Sequence, residues 1–120
     1  VKFWGYVTQS KKFELLSRSF LVVNPSVREG WGLTVIESAA VKTPTVAYRV
    51  SGLKDAIVHG KTGILVNQKT PESLAQAIKK IYEDQSFYRK LQIQGYQWSK
   101  KFNWLKATKQ STSLIEKIVC

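Results

Sequence analysis

The chain has 120 residues, of which 43% are hydrophobic and four are tryptophans. This length leaves room for one packed domain but not for a two-domain enzyme, and the hydrophobic content excludes a disordered chain. No apolar run in the sequence approaches the ~20 residues that span a bilayer. Nineteen Lys and Arg residues against eight Asp and Glu residues give a net charge of +11. Nucleic acid, anionic lipid headgroups and phosphorylated substrates all fit such a balance.

The sequence begins with Val1 and holds one cysteine, Cys120, which is its last residue. Since the start has neither an initiator Met nor the layout of a signal peptide, we expect a fragment of a longer protein. One cysteine cannot form an intramolecular disulfide, so we expect a reducing, cytoplasmic compartment.

The first part of the sequence predicts a strand, a helix and a second strand. Alternating and aromatic residues at 1–7 predict the first strand. Apolar side chains among lysines at 10–19 predict an amphipathic helix whose apolar stripe packs on the sheet. The continuous apolar run Phe20–Val23, closed by Asn24 and Pro25, predicts a buried strand that ends in a loop.

The stretch from Arg28 to Ala40, which follows that strand, reads R-E-G-W-G-L-T-V-I-E-S-A-A. It contains a glycine-bearing loop and then a helical pattern that begins at Leu33. A strand, a loop and a helix in this order place the loop at the carboxyl end of a parallel sheet, where open α/β folds bind their ligands. Gly30 and Gly32 let the backbone come close to a ligand, and the unpaired N–H groups of the new helix suit a phosphate or a sugar hydroxyl.

Two carboxylates flank this helix start, Glu29 in the loop and Glu37 eight residues later in the helix. Glu37 is expected about one turn into the helix, on the face that carries Thr34. A carboxylate there can accept two hydrogen bonds from vicinal hydroxyls such as those of a ribose. Because Glu29 projects from the loop at the other end of the same ligand, the layout predicts a nucleotide-sugar pocket.

The next part of the sequence predicts two short strands, at 45–48 and 64–66, separated by a short helix at 54–58. We expect the motif helix to end near Lys42. A left-handed helix terminus there favours glycine, so either Lys42 adopts that conformation at a cost or the turn differs. We interpret His59, the only histidine, as a turn residue rather than a catalytic one, since the motif offers it no carboxylate partner.

Three consecutive helices are predicted to close the domain. Thr70 and Pro71 supply an N-cap and a first-turn proline for the first, and the others are expected at about 87–101 and 104–119. Their basic residues either are solvated or form a peripheral contact with an anionic membrane, where each cation adds about 1 kcal/mol. They are Lys79, Lys80, Arg89, Lys90, Lys100, Lys101, Lys106 and Lys109.

These motifs resemble glycosyltransferase family 4, also called glycosyl transferases group 1. The resemblance rests on the E-x7-E region and its neighbours in one order, and it covers nearly the whole chain. The matching segments are 25–26, 29–33, 37–40, 43–44, 51–53, 59–63, 65–66 and 102–104. It implies an α/β fold, namely a Rossmann-like three-layer domain with a parallel sheet, the carboxyl-terminal half of a GT-B fold, ending in several helices.

The resemblance also implies how the chain is organised. Residues 1–120 would form a single nucleotide-sugar-binding domain, with the first strand, the basic diphosphate ligands and the amino-terminal acceptor domain supplied by a preceding part of a parent chain. The full-length parent is expected to be a hexosyltransferase that moves a sugar from a nucleotide-diphosphate sugar to an acceptor in polysaccharide, glycolipid or other glycoconjugate synthesis. Transfer is expected to retain the anomeric configuration, and the fragment alone is expected to be inactive.

By the same resemblance, Glu29 contacts the donor sugar and is the catalytic candidate, and Glu37 binds the ribose. Trp31, where the family more often has Phe, either lines the sugar pocket or packs. One of two glycines common in the family is replaced here by Ser51, which makes a close ligand approach at that loop less secure. Donor sugar and diphosphate binding is assigned to Glu29, Gly30, Trp31, Gly32, Leu33 and Thr34.

We expect no cofactor and no metal, because the sequence has no Asp-x-Asp and no His or Cys cluster. The expected partners are a nucleotide sugar and the amino-terminal domain of the parent, with contact to the inner face of the membrane left open. A basic nucleic-acid-binding module is an alternative, although the aromatic residues occupy apolar positions and no nucleic-acid motif appears. A GT-B epimerase or phosphorylase is another, although such proteins usually lack the E-G-W-G sequence.

Overall fold

The computed structural model describes residues 1–30 and 32–102. Its centre is a parallel sheet of three strands in the order β1 (Val22–Asn24), β2 (Thr45–Tyr48) and β3 (Gly63–Val66). Val46 of β2 pairs with Val23 on one side and with Ile64 on the other. The strands form where the sequence offers short β-branched runs. The buried strand expected from Phe20–Val23 is shorter and less buried than expected, because β1 begins at Val22 and Val23 is 41% exposed.

Five helices surround this sheet in the described part of the chain. They are α1 (Gln9–Ser17), α2 (Leu33–Ala40), α3 (Leu53–Ala56), α4 (Pro71–Glu83) and α5 (Gln85–Ser99). Side-chain oxygens of Thr8, Thr70 and Asp84 cap α1, α4 and α5 by accepting backbone N–H bonds. The Asp84 cap explains why α5 begins two residues before the expected Phe87.

All four residues of β2 are buried. Because successive side chains of a strand point to opposite faces, helices must cover both faces of the sheet, which gives three layers. Ile36 of α2, Ile81 of α4 and Leu91 of α5 are each no more than 1% exposed and fill the core. The expected Rossmann-like α/β architecture is therefore confirmed.

Helix α5 lies across the amino ends of the strands. Three contacts join it to the backbone just before β1, β2 and β3. They are the hydrogen bonds from Tyr88 Oη to Phe20 O (2.6 Å) and from Gln92 Nε2 to Lys42 O (3.1 Å), and the packing of Gly95 beside Thr62 O, which a Cβ on residue 95 would meet at 3.5 Å. The carboxyl ends of the strands, where ligands bind in this class of fold, therefore lie at the opposite edge from α5.

The prediction of a strand at residues 1–7 is wrong, because this segment has no regular secondary structure. Phe3 and Tyr6 are almost fully exposed. Aromatic and alternating residues favour a strand only when a neighbouring strand completes their backbone hydrogen bonds, and none of the described residues pairs with this segment. The helix expected at 104–119 lies outside the described residues.

The expectation that α1 packs on the sheet is also wrong. No residue of α1 is buried, and the helix lies against α2. Thr43 Oγ1 donates a 2.7 Å hydrogen bond to Leu16 O, which ties the end of α1 to the start of β2. The apolar residues of α1 are thus only half-buried, and Phe13 is left at the rim of a pocket.

Lys42, where α2 turns into β2, has a φ of 63°. Of the two alternatives left open by the sequence, Lys42 therefore takes the left-handed conformation, which costs a residue with a Cβ about 1–2 kcal/mol. Two contacts offset part of that cost. Gln92 donates to the Lys42 carbonyl, and the Lys42 ammonium lies 5.2 Å from the centre of the Tyr96 ring.

His59 has the structural role that its turn position suggests. Its Nδ1 accepts a 3.0 Å hydrogen bond from the backbone N–H of Leu65 in β3. Burial lowers the pKa of His59, and the positive charges of Arg49 and Lys80 lower it further. Only the unprotonated Nδ1 can accept this bond, so the folded state favours neutral His59.

We predict that stability falls on mild acidification because of His59. Its folded-state pKa lies below the unfolded value of about 6.5, so the stabilisation is complete above that value and is lost as pH falls through the folded-state pKa. Urea unfolding at pH 7.5 and pH 5.5 should show this loss in the native chain. His59→Ala should flatten the dependence, since the chain has no other histidine; an unchanged pH slope in that variant would contradict the prediction.

Candidate functional site

The loops that follow the three strands meet at the carboxyl edge of the sheet. Arg49, just after β2, donates a 2.8 Å hydrogen bond from Nε to Asn67 Oδ1, just after β3. Gly52 in the second loop has a φ of 87°, and a Cβ at this position would collide with the carbonyl oxygen of Glu29 in the first loop. The two loops can approach this closely only because residue 52 is glycine.

Helix α2 begins at this edge. Gly32 is its N-cap residue and provides no side-chain cap, so the first N–H groups of α2 have no side-chain partner there. A Cβ on Gly32 would lie 2.9 Å from the Ala56 Cβ of α3, so glycine is needed for the packing of α2 on α3. The start of α2 therefore presents N–H groups and the positive end of the helix dipole toward the loops.

The Glu37 side chain, one turn into α2, is only 12% exposed. Lys12 of α1 places its Nζ 2.7 Å from Glu37 Oε2. The contact has the distance of an ion pair but lacks hydrogen-bond geometry, so the buried Oε2 has no hydrogen-bond donor in the described structure. Glu37 is thus a largely buried carboxylate with a charge partner and with unused hydrogen-bond acceptor capacity.

A pocket of about 230 Å³ lies between α1 and α2 and is lined by Gln9, Phe13, Leu33 and Glu37. The Phe13 ring and the 44% exposed Leu33 provide apolar surface, while the Gln9 amide and the Glu37 carboxylate provide polar groups. This combination suits a small ligand with a flat or apolar body and vicinal hydroxyls.

The structure brings most of the predicted site residues to one edge of the sheet. Glu29 is half-buried in the loop after β1, Gly30 is exposed beside it, and Thr34 is exposed in the first turn of α2. Leu33 and Glu37 line the pocket, and Gly32 is buried. Trp31 lies outside the described residues.

Sequence reasoning missed the contributions of α1 and of Gly52. Gln9, Lys12 and Phe13 recur at three- and four-residue spacing, which puts them on one helix face. The spacing is visible in the sequence, but only the structure shows that this face of α1 contacts Glu37. The sequence also gave no sign that residue 52 touches the backbone of Glu29.

No group of three or more His, Cys, Asp or Glu residues that could hold a metal occurs in the part of the chain that the structure describes. Within the same residues, no helix has the length and apolar content required to cross a bilayer.

The fold and site define a Rossmann-like α/β domain with a pocket near the carboxyl edge of a parallel sheet. The sequence model of the family "Glycosyl transferases group 1" matches residues 1–98. The chain belongs to this family.

Two curated relatives illustrate the similarity. An uncharacterized glycosyltransferase of Methanocaldococcus jannaschii is 36% identical over 88 residues, which is 73% of this chain and 25% of that protein. A D-inositol 3-phosphate glycosyltransferase of Nocardioides sp. is 30% identical over 111 residues, or 92% of this chain and 24% of that protein. The chain spans about a quarter of the length of these relatives.

Solved structures agree with the fold. A sucrose-phosphate synthase from Thermosynechococcus elongatus superposes with a TM-score of 0.89 and 31% identity, covering 99% of this chain and 30% of that one. An Anabaena protein solved with UDP and glucose superposes with a TM-score of 0.86 over 98% of this chain and 32% of that one, and at 23% identity it shows the shared fold alone. The GT-B relationship expected from the sequence is confirmed at the level of the fold.

We predict that Gly52→Ala destabilises the chain by about 2–4 kcal/mol, because the new Cβ strains a left-handed residue and overlaps the Glu29 carbonyl. Gly60→Ala is the matched control, since Gly60 also has a positive φ of 77° but open space around it. That variant should lose only about 1–2 kcal/mol. Urea unfolding measures both, and equal losses would mean that the contact between the two loops is not tight.

We predict that Lys12→Met destabilises the chain by about 1–2 kcal/mol. Breaking a fully buried ion pair costs about 3–5 kcal/mol, and exposure of 32% of the Lys12 side chain reduces that cost. Lys11→Met is the control, because Lys11 pairs with the exposed Glu14 within α1 and should change stability by no more than about 0.5 kcal/mol. Urea unfolding curves that shift equally for both variants would contradict the buried pairing.

Proposed function

We propose that this chain is the donor-binding, carboxyl-terminal domain of a retaining glycosyltransferase of family 4, with residues 1–120 acting as one nucleotide-sugar-binding domain. The observation that carries this proposal is the Glu37 carboxylate in the pocket between α1 and α2. A carboxylate with unused acceptor capacity at the carboxyl edge of a Rossmann-like sheet fits the vicinal hydroxyls of a ribose.

The nucleoside half of the donor is proposed to occupy this pocket. The ribose hydroxyls would donate to Glu37, while the Phe13 ring and the Leu33 side chain would give the nucleoside an apolar surface. Lys12 holds the Glu37 carboxylate from the side of α1 and is thereby a positioning residue. The pocket's polar end and apolar walls support a nucleoside more directly than a free phosphate.

The sugar diphosphate half is proposed to lie along the loop after β1 and the start of α2. Backbone N–H groups between Gly30 and Thr34 would hold the sugar hydroxyls and the diphosphate, helped by the uncapped helix start. Glu29 would contact the donor sugar, and its backbone is fixed by the approach of Gly52. Trp31 is proposed as a lining residue of the same sugar pocket.

Catalysis would come from alignment of donor and acceptor and from stabilisation of the departing nucleoside diphosphate, without a protein nucleophile in this chain. Glu29 is the proposed catalytic contact through its position beside the sugar. An amino-terminal domain of the parent would bind the acceptor and complete the diphosphate site. We therefore expect this chain to bind a donor without turning it over, in the cytoplasm and without a metal or cofactor.

We predict that the chain binds one of the UDP-, GDP- and ADP-sugars through its ribose. Saturation-transfer NMR with each donor should give signals on the ribose protons, and the donor that responds identifies the base. Glu37→Gln keeps the size of the side chain but removes the charged acceptor, so it should weaken binding about 10-fold or more. Glu72→Gln, at an exposed acid in the first turn of α4, is the control and should leave binding unchanged.

Binding that survives Glu37→Gln unchanged would refute the ribose assignment. Absence of transfer from every donor, in a chain that circular dichroism shows to be folded, would refute the proposal that this domain alone holds the donor. The same titration on the full-length parent would then test Glu37 in the completed site.

A further inference from the structure

The outward surface of α5 carries basic residues without acidic neighbours along the chain. Residues 85–115 contain no Asp and no Glu. Arg89, Ile93, Tyr96 and Lys100 recur at spacings of four, three and four residues, which aligns them along one helix face. Arg89, Lys90, Ile93 and Lys100 are exposed, and Tyr96 is half-exposed. We call these five residues, together with Lys42 at the end of α2, the basic face.

Two cations of the basic face share one aromatic ring. The ammonium groups of Lys42 and Lys100 lie 5.2 Å and 4.5 Å from the centre of the Tyr96 ring. The ring attracts each cation, but the two like charges repel each other. Among the described residues the ion pairs involve Lys11, Lys12, Arg18 and Lys79, none of which belongs to this face. The face therefore concentrates positive charge that no carboxylate of the described chain neutralises.

An apolar side chain lies in the middle of this charge. Ile93 is 50% exposed and sits one turn from Arg89 and less than one turn from Tyr96. A helix with cations around an apolar centre is typical of surfaces that lie in the headgroup region of a membrane. Single-stranded nucleic acid is instead bound by aromatic rings open for stacking, whereas the Tyr96 ring is flanked by two ammonium groups.

We propose that the basic face binds the anionic headgroups of a lipid bilayer, with Ile93 entering the interfacial layer. Helix α5 lies across the amino edge of the sheet, opposite the pocket between α1 and α2. A domain docked in this way keeps its carboxyl edge open to dissolved ligands. Because the basic face is defined by the charge and exposure of α5 and Lys42, its role in membrane binding does not depend on the proposed donor site.

Vesicle sedimentation with the 120-residue chain tests this surface. The wild-type chain should bind phosphatidylcholine vesicles that contain phosphatidylserine, and not those of phosphatidylcholine alone. Each cation near an anionic surface contributes about fivefold to binding, so Lys90→Gln with Lys100→Gln should weaken it about 25-fold. Lys54→Gln with Lys69→Gln is the matched control, because it removes the same charge from exposed positions at the other edge and should weaken binding less than about fivefold.

A third variant separates a bilayer from other polyanions. Ile93→Ser leaves the charge unchanged and should weaken vesicle binding about fivefold through the lost apolar contact. Equal losses in the two double variants, or no binding of the wild-type chain to the anionic vesicles, would overturn the proposal. So would an RNA oligonucleotide that displaces the vesicles while Ile93→Ser binds them normally, because the face would then be a nucleic-acid surface. Circular dichroism of each variant confirms that the fold is retained.

Discussion

The close approach of Gly52 to the backbone of Glu29 is the constraint on which the carboxyl edge of this domain depends. It joins the loop after β1 to the loop after β2, and the Arg49–Asn67 hydrogen bond joins the second loop to the third. The parallel strands are only three or four residues long, so the loops that follow them depend on contacts with one another. The missing Cβ at one position therefore fixes where the Glu29 loop lies relative to the loop after β2.

Much of the fold was predictable because local sequence and tertiary structure agree. The Thr70–Pro71 cap produces the helix it predicts, and the apolar run before Asn24 produces a strand, although that strand is not buried. The prediction of a strand at residues 1–7 is wrong because a strand needs a neighbouring strand, whose presence the segment itself cannot reveal. The end of α2 was predictable from Thr43 and Pro44, whereas the left-handed conformation of Lys42 was one of two alternatives that the sequence left open.

The candidate site also contains residues that could be predicted from the sequence and residues that could not. Glu37 could be chosen from its spacing to Glu29, since a helix start and a periodicity of 3.6 residues fix its approximate position. Its partner Lys12 lies 25 positions earlier in the sequence and could be found only once α1 was seen against α2. The net charge of +11 likewise did not reveal how the charges are distributed. Lys12 pairs with the largely buried Glu37, whereas Lys90 and Lys100 have no acidic partner within the described chain.

Helix α5 contacts the backbone ahead of every strand, through a tyrosine hydroxyl, a glutamine amide and a bare glycine. Helix α5 thus fixes the positions at which the three described strands begin. Loops at the other end can change in length or sequence without shifting the strands that carry them, since their starting points are fixed elsewhere. Such a division allows the loops at the carboxyl edge to vary while the framework of the domain stays constant.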